Sequence, residues 1–418
     1  MLSANPPSNL NCNVVLKSAL NDKNGLKICS FNARSIFKKL DEIKNLLDGV
    51  NVDLICVTET LLKEAITDSA ISIDGFDVIR KDRVGNRGGG VCIYIKNNLN
   101  YKVVLSESNN NIETIFIEII LHKSKLLLGV VYKPPKKDGV GELEKILYDL
   151  SLLYSSIILC GDFNYNILRS SRYIRLFLNL LESYSLDIIN TEPTYFYESG
   201  SSLLDLIITN TNKVSFWNQI SVGCFDHDLM FFVYDSLYDS KFGTNVFRDF
   251  KNLNTVAMYQ FASALPWSKI ADYTHIDEKL DLFNDLTLNV LERCVPLRKV
   301  KKEKKFSPSW FNNAIVDAII LRDIAYSHWK KSRTNVCLKE FRRLRNIATD
   351  LVRKAKTKFI NEKLNPKLPP AAFWKSVKNL GISESKKTTA NNFSPNELNN
   401  YFAANGSGNR FPLISKHS

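Results

Sequence analysis

Apolar residues over the first 236 positions fall into short runs separated by polar turns. Leu26-Lys27-Ile28-Cys29-Ser30-Phe31-Asn32 alternates with a period of two and predicts a strand. Ile36, Leu40, Ile43 and Leu47 recur at helical spacing and predict an amphipathic helix over 36–48. The apolar run from Val52 to Val57 reads as a buried strand ending at Thr58-Glu59, and Gly88-Gly89-Gly90 opens another over Val91 to Ile95. Two long strands follow, Glu113 to Leu121 and Lys125 to Lys133, the second stopped by Pro134-Pro135. A helix near 141–154 leads into the strand from Ile157 to Cys160, and a second helix is expected near 171–184. The remaining strands fall at Leu203 to Thr209, near 217–222 and at Leu229 to Tyr234.

The texture changes near residue 240, where Tyr238 to Thr244 reads as a boundary. Residues 252–293 look helical, and Lys299 to Lys305 with Phe306-Ser307-Pro308 reads as a basic linker. Trp310 to about Leu364 reads as one or two long helices, closed by Pro366 and Pro369-Pro370. The expected organisation is therefore a flexible N-terminus at 1–25, an α/β domain at 26–236, a helical linker at 245–297, a basic helical segment at 298–380 and a loose tail at 381–418, rich in Asn, Ser and Lys.

A chain of 418 residues can bury a sizeable core and is too long for one small domain. No run reaches the roughly 18 apolar residues of a membrane span, and residues 1–20 lack the basic start and apolar core of a secretory signal. An intracellular protein with no membrane partner is expected. The 8 cysteines are scattered with no CxxC pair, which argues against zinc and for buried, reduced thiols.

Charge divides the chain. From Arg298 to Lys363, 19 Lys and Arg face 6 Asp and Glu, whereas residues 1–297 carry a net −5. A basic back behind a mildly acidic front points to a polyanion partner, nucleic acid being the commonest; the alternative is a solvated helical surface. Arg342, Arg343, Arg345, Lys354 and Lys356 are the candidate contacts. Lys299 to Lys305 also fits the weak pattern of a nuclear import signal, so a nuclear location is expected.

The acid, amide and imidazole chemistry concentrates in five motifs: Ser30-Phe31-Asn32, Thr58-Glu59-Thr60, Gly161-Asp162-Phe163-Asn164, Leu204-Asp205 and Asp226-His227. Phosphodiester cleavage needs charge neutralised on the phosphate, a water activated, the leaving oxygen stabilised and all of it aligned. Glu59 ends a buried run and suits a hard cation, with a cap or ion pair as the plainer role. The Asn32 amide could position a ligating water or a carboxylate, or simply sit in a turn. Asp162 and Asn164, two apart, would face one side in extended geometry, the acid aligning water and the amide reaching phosphate; an Asx-turn is the alternative. Asp205 within Leu203-Leu204-Asp205-Leu206-Ile207-Ile208 needs a partner, and His227 oriented by it would act as a general base. Asp226 could add a metal ligand. His122, His275, His328 and His417 have no comparable setting.

In this order and spacing, together with Gly88-Gly89-Gly90-Val91, Tyr132-Lys133-Pro134-Pro135 and Ser202-Leu203-Leu204-Asp205, the motifs resemble the endonuclease/exonuclease/phosphatase superfamily over roughly 26–236. The triple glycine, Tyr-x-Pro-Pro and Ser-Leu-Leu-Asp-Leu fit its non-LTR retrotransposon branch best. Trp310-Phe311, Arg322-Asp323, Trp329-Lys330, Phe341-Arg342-Arg343-Leu344-Arg345-Asn346 and Ala355-Lys356 are similar to the linker before the reverse transcriptase in jockey-like elements. No polymerase motif follows, so the chain looks like a fragment, a truncated copy or a domesticated derivative. The resemblance implies a DNase I-like four-layer α/β/β/α sandwich followed by the mostly helical basic segment. It implies Mg²⁺, which Mn²⁺ can replace, held mainly by Glu59 with Asn32 and Asp226 nearby. His227 and Asp205 would form the base pair, Asp162 and Asn164 would align water and stabilise the transition state, and Tyr132 would contact the phosphate.

One position departs from that pattern: Phe225 stands where the family usually has a serine that helps hold the final loop. A bulky ring there could shift His227, and an error near 1 Å can cost about a hundredfold in rate. The expected activity is a Mg²⁺-dependent DNA endonuclease that leaves a 3′-hydroxyl for priming, with the element RNA as a further partner and no small-molecule cofactor. The alternatives are an abasic-site nuclease or another phosphoesterase of the same fold, and a catalytically decayed nucleic-acid-binding protein.

Overall fold

The alternation of apolar positions is resolved by two sheets that share one interior. In the computed structural model the described residues are 11–236 apart from 84, 86, 87, 110 and 123, then 246–299 apart from 249, 251 and 252, then 307–365 and 368–380. The first sheet takes β1 (Leu26–Asn32), β2 (Leu54–Thr58), β3 (Phe76–Lys81) and β4 (Val91–Lys96). The chain then crosses to the second sheet for β5 (Tyr101–Ser108), β6 (Glu113–Ile120), β7 (Lys125–Tyr132), β8 (Ile157–Asp162), β9 (Asp187–Ile188) and, after the hairpin β10 (Tyr195–Tyr197) and β11 (Gly200–Ser202), β12 (Asp205–Thr209). β13 (Val214–Ile220) and β14 (Leu229–Tyr234) return to the first. Among the described residues each large sheet has six strands, ordered β13-β14-β1-β2-β4-β3 and β5-β6-β7-β8-β12-β9.

Period two then sorts side chains between layers. Leu26, Ile28, Leu54 and Cys56 point into the core between the sheets with Ile115, Leu128, Ile158 and Ile207. Their neighbours Cys29, Phe31, Ile55 and Val57 face outward and are covered by α1 (Cys12–Leu20) and α2 (Ile36–Leu46). On the second sheet α3 (Val140–Ser151) and α4 (Arg172–Ser183) cover Phe116, Leu127, Leu159 and Leu206. The result is the expected helix–sheet–sheet–helix sandwich, DNase I-like in form. All eight cysteines are free thiols, and Cys29, Cys56, Cys92 and Cys160 are buried in strands.

Three expectations change. The N-terminus is not flexible over residues 12–20: Cys12, Leu16 and Leu20 recur at i, i+4 and i+8 and bury against the first sheet, with Asn11 capping the helix. The compact unit does not end near 236 but runs to Ile360. It includes α5 (Thr255–Ser263), a 3₁₀ turn at Trp267–Asp272, α6 (Ile276–Cys294), the small pair β15 (Val246–Arg248) and β16 (Leu297–Lys299), α7 (Asn313–Ser332) and most of α8 (Asn335–Lys363). Finally, Pro370 does not only end a helix; it begins α9 (Pro370–Asn379), in the second unit, Asn361–Ser418. The boundary at 238–244, most of the basic linker, Pro366 and the tail after 381 lie outside the described residues. Among the described residues no helix is long and apolar enough to cross a membrane.

Candidate active site

Strand pairing gathers the motifs at one end of the sandwich. In parallel register Asn32 lies opposite Thr58, so Asn32 and Glu59 leave the first sheet side by side. On the second sheet Tyr132 is opposite Asp162, and Asp162 is opposite Asp205. His227 closes the group from the loop between β13 and β14, through a bridge to Tyr195 of the hairpin.

The decisive contact is between His227 Nδ1 and Asp205 Oδ2, at 2.7 Å. Both residues are buried. The same Asp205 oxygen accepts from the Thr194 hydroxyl at 2.6 Å, and Tyr195 packs on the imidazole with ring centroids 4.8 Å apart. Burial alone would lower the imidazole, but the Asp205 charge and hydrogen bond, with Asp162 and Glu59 beyond, outweigh it and raise His227 to about 9.

Asp162 is fixed at both oxygens. Asn32 donates its amide to Oδ2 at 2.9 Å, and the backbone N–H of Asn164 donates to Oδ1 at 3.0 Å. Burial, then the Asp205 carboxylate, push the Asp162 carboxyl up, against the opposing pull of His227. Gly161 makes this turn possible: its φ is +135°, and a Cβ would collide with the Val131 carbonyl. Asn164 does not face the same side as Asp162 in extended geometry. It adopts φ +50°, and its side-chain amide donates to the Lys133 carbonyl at 2.8 Å, tying the loop to the end of β7. The Asx-turn is therefore what forms, with Asp162 as its acceptor.

Glu59, at φ +49° just past β2, is partly exposed and accepts from the Tyr132 hydroxyl at 3.2 Å. Behind them Arg83 sits 5.6 Å from the centre of the Tyr132 ring and pairs with buried Glu113, which also accepts from the Gly90 N–H at 2.5 Å. Gly90, at φ +86°, lies where a Cβ would strike the Thr60 hydroxyl, which accounts for the last of the three glycines. Asp226 is paired with Arg34.

The structure thus brings two hydrogen-bonded pairs together, His227 with Asp205 and Asn32 with Asp162, with Tyr132 on Glu59 beside them. Asn32 serves as the holder of a carboxylate, one of the two roles its position suggested. Among the described residues Asp162, Asp205 and His227 bring three acid and imidazole ligand atoms within 4.8 Å of one another. Those three are buried, and their facing atoms are engaged with one another, Thr194 and Asn32. Glu59 is a partly exposed hard oxygen donor at the rim, so its chemistry fits a Mg²⁺-class ion better.

Thr194, Arg83, Glu113 and Asp228 were not singled out from the sequence. Glu113 had a signal, an acid heading an apolar strand, as did Asp205; Thr194 had none. Phe225 does not disturb the pair. Its ring turns into the core and stacks on Phe31, centroids 4.6 Å apart and 20° between planes, while His227 points the other way to Asp205.

The basic candidates lie along α8, some paired within the helix and some with the sandwich. Arg342 pairs with Glu198, Arg343 with Glu340, Lys354 with Asp350 and Lys356 with Asp41, while Arg345 lies 5.7 Å from the Phe341 ring centre.

Residues 29–228 match the model of the Endonuclease/Exonuclease/phosphatase family. This segment, 200 of the 418 residues, is similar to that family. Solved structures similar to the chain include the endonuclease domain of TRAS1, a telomere-specific non-LTR retrotransposon, at 15% identity over 50% of this chain and 98% of that one, TM-score 0.40. An AP endonuclease from Archaeoglobus fulgidus is similar at 16% identity over 50% and 99%, TM-score 0.40. The catalytic domain of Xenopus laevis APE2 is similar at 15% identity over 51% and 93%, TM-score 0.43. No curated protein matches the chain. The family match and the acid–imidazole group together support a hydrolytic site of the endonuclease/exonuclease/phosphatase kind.

Proposed function

We propose that this protein is a Mg²⁺-dependent DNA endonuclease that nicks one strand and leaves a 3′-hydroxyl, the role such a domain has in a non-LTR retrotransposon. The observation that carries the reading is the buried His227–Asp205 pair at 2.7 Å beside Asp162. With Nδ1 engaged, Nε2 is the ring nitrogen that takes a proton from water in the neutral form of the ring, whose share grows as pH rises toward about 9, and Asp205 stabilises the imidazolium that results. Asp162, held by Asn32 and the Asn164 N–H, aligns that water. Asn164 acts by fixing the Asp162 turn to β7. Tyr132, beside Glu59, offers its hydroxyl to the phosphate.

Glu59 would hold the metal, with Asn32 and Asp226 in support. A divalent cation there supplies charge neutralisation for the phosphate and the leaving oxygen. Water adds to phosphorus as its proton passes to His227, the P–O3′ bond breaks to leave a 5′-phosphate, and the departing 3′-oxygen takes a proton from solvent to become the 3′-hydroxyl. DNA as substrate is favoured by the +13 net charge of the chain and the arginines of α8; the element RNA is a second candidate partner and the nucleus the proposed site of action.

The test is nicking of supercoiled plasmid with Mg²⁺, with EDTA and His227→Ala as controls, and polymerase extension of the nicked ends. Nicking that survives both controls sinks the mechanism. Comparison of intact, abasic and single-stranded oligonucleotides tells target nicking from abasic-site repair; a preference for the abasic strand would replace this substrate.

A further inference from the structure

We propose that α7, outside the matched family segment, is a brace for the loop carrying His227, with Asp323, Tyr326 and Lys330 as positioning residues for catalysis. The role in catalysis rests on the nuclease reading above; the brace itself does not. The loop, residues 221–228, joins β13 to β14 and meets α7 at three points on one helix face, spaced i, i+3 and i+7. Asp323 Oδ1 accepts from the Gly223 N–H at 2.8 Å. The Tyr326 hydroxyl donates to the Asp226 carbonyl at 3.4 Å. Lys330 donates to the Ser221 hydroxyl at 2.5 Å and to both oxygens of Asp228 at 2.8 and 2.7 Å.

These contacts are built in rather than laid on the surface. Asp228 is 2% exposed and Arg322 is 1% exposed. Arg322 donates to Asp323 and reaches Glu42 of α2 at 2.5 Å, so the brace is anchored in the helical layer over the first sheet. A Cβ at Gly223 would come within 2.7 Å of the Asp323 oxygen and 2.9 Å of Arg322 Nε, so a larger residue there would displace these two side chains.

A short path joins the brace to the chemistry. Asp228 is the residue after His227, and its N–H donates to the Thr194 carbonyl at 2.8 Å. The Thr194 hydroxyl in turn holds the Asp205 oxygen that meets His227. Lys330 also lies 3.6 Å from the centre of the Phe196 ring, in the hairpin whose Tyr195 packs on His227. A buried charge deprived of its partner is strongly unfavourable, so removing Lys330 should move Asp228, and with it the neighbouring imidazole.

The test uses the full chain with Lys330→Met and Tyr326→Phe. Hydrogen exchange reads the loop without reference to activity: the Gly223 and Asp228 amides should exchange faster in Lys330→Met while β14 stays protected. Nicking should fall in kcat by about a hundredfold, the cost of roughly 1 Å of misplacement, with KM for DNA unchanged; Tyr326→Phe should show the same pattern more weakly. If Lys330→Met does not fold, Lys330→Met with Asp228→Asn removes both charges and carries the same readings. Wild-type exchange in the loop, or a loss confined to KM, overturns the brace. Faster loop exchange in a protein whose wild type nicks no DNA supports the brace and sinks the nuclease reading.

Discussion

His227 Nδ1 and Asp205 Oδ2 lie 2.7 Å apart in a buried site, and the Thr194 hydroxyl shares the same carboxylate oxygen. The carboxylate therefore fixes both the tautomer and the direction of the ring. Asp205→Asn keeps the shape but removes the charge that stabilises an imidazolium. Nicking by Asp205→Asn and by His227→Ala should each fall by about 10² to 10⁴, and the double variant should fall by little more than the worse single, because the two act as one unit. Additive losses in a kinetic double-mutant cycle would show that they act separately.

The raised imidazole ties stability to pH. His227 titrates at about 9 in the folded protein, against about 6.5 in an unfolded chain. Its stabilising contribution is complete below pH ~6.5 and is lost as pH rises through about 9. Urea midpoints of wild type and His227→Ala should therefore converge between about pH 6.5 and 9. A gap that stays constant across that window would mean the folded ring titrates normally.

Much of this was legible in the sequence, for identifiable reasons. Strands buried on both faces, such as Leu54–Thr58 and Leu229–Tyr234, announce themselves as apolar runs. The half-exposed strands Phe76–Lys81 and Tyr101–Ser108 do not, because solvent on one side lets Arg, Lys and Glu interrupt the pattern. The site acids were legible because a lone carboxylate in an apolar run needs a partner. Asn164 was not, since its amide ends on the Lys133 carbonyl 31 residues away. Nor were the charged contacts of α7: its segment read as a basic surface facing a polyanion or solvent, and only the approach of Glu42, Gly223 and Asp228 shows Arg322, Asp323 and Lys330 turned to the protein.

Phe225 looked like a defect and is a core residue. It is 1% exposed and stacked on Phe31. Replacing it with the serine usual in the family should not improve catalysis. Phe225→Ser removes a buried ring and leaves a hydroxyl in an apolar cluster, a cost of about 3–5 kcal/mol by analogy with Phe→Ala in cores. Chemical denaturation should show that loss, with nicking no faster than wild type. A stable Phe225→Ser that nicks faster would restore the idea that the ring misplaces His227.

The basic residues of α8 divide by their partners, and the division can be measured through salt. Lys356 reaches Asp41 of α2 at 2.6 Å, an ion pair that holds α8 against the sandwich. Arg342 pairs with exposed Glu198 at 3.3 Å, and Arg345 lies over Phe341, so both can be drawn to a phosphate at small cost. Each phosphate contact on duplex DNA contributes roughly −0.9 to the slope of log K against log salt. Arg342→Gln with Arg345→Gln should weaken binding to any duplex and flatten that slope by about 1.8. Lys356→Gln should leave the slope nearly unchanged while costing at most about 1 kcal/mol in folding stability. Fluorescence anisotropy over a salt series distinguishes the two, and an unchanged slope in the double arginine variant would remove this part of α8 from the DNA surface.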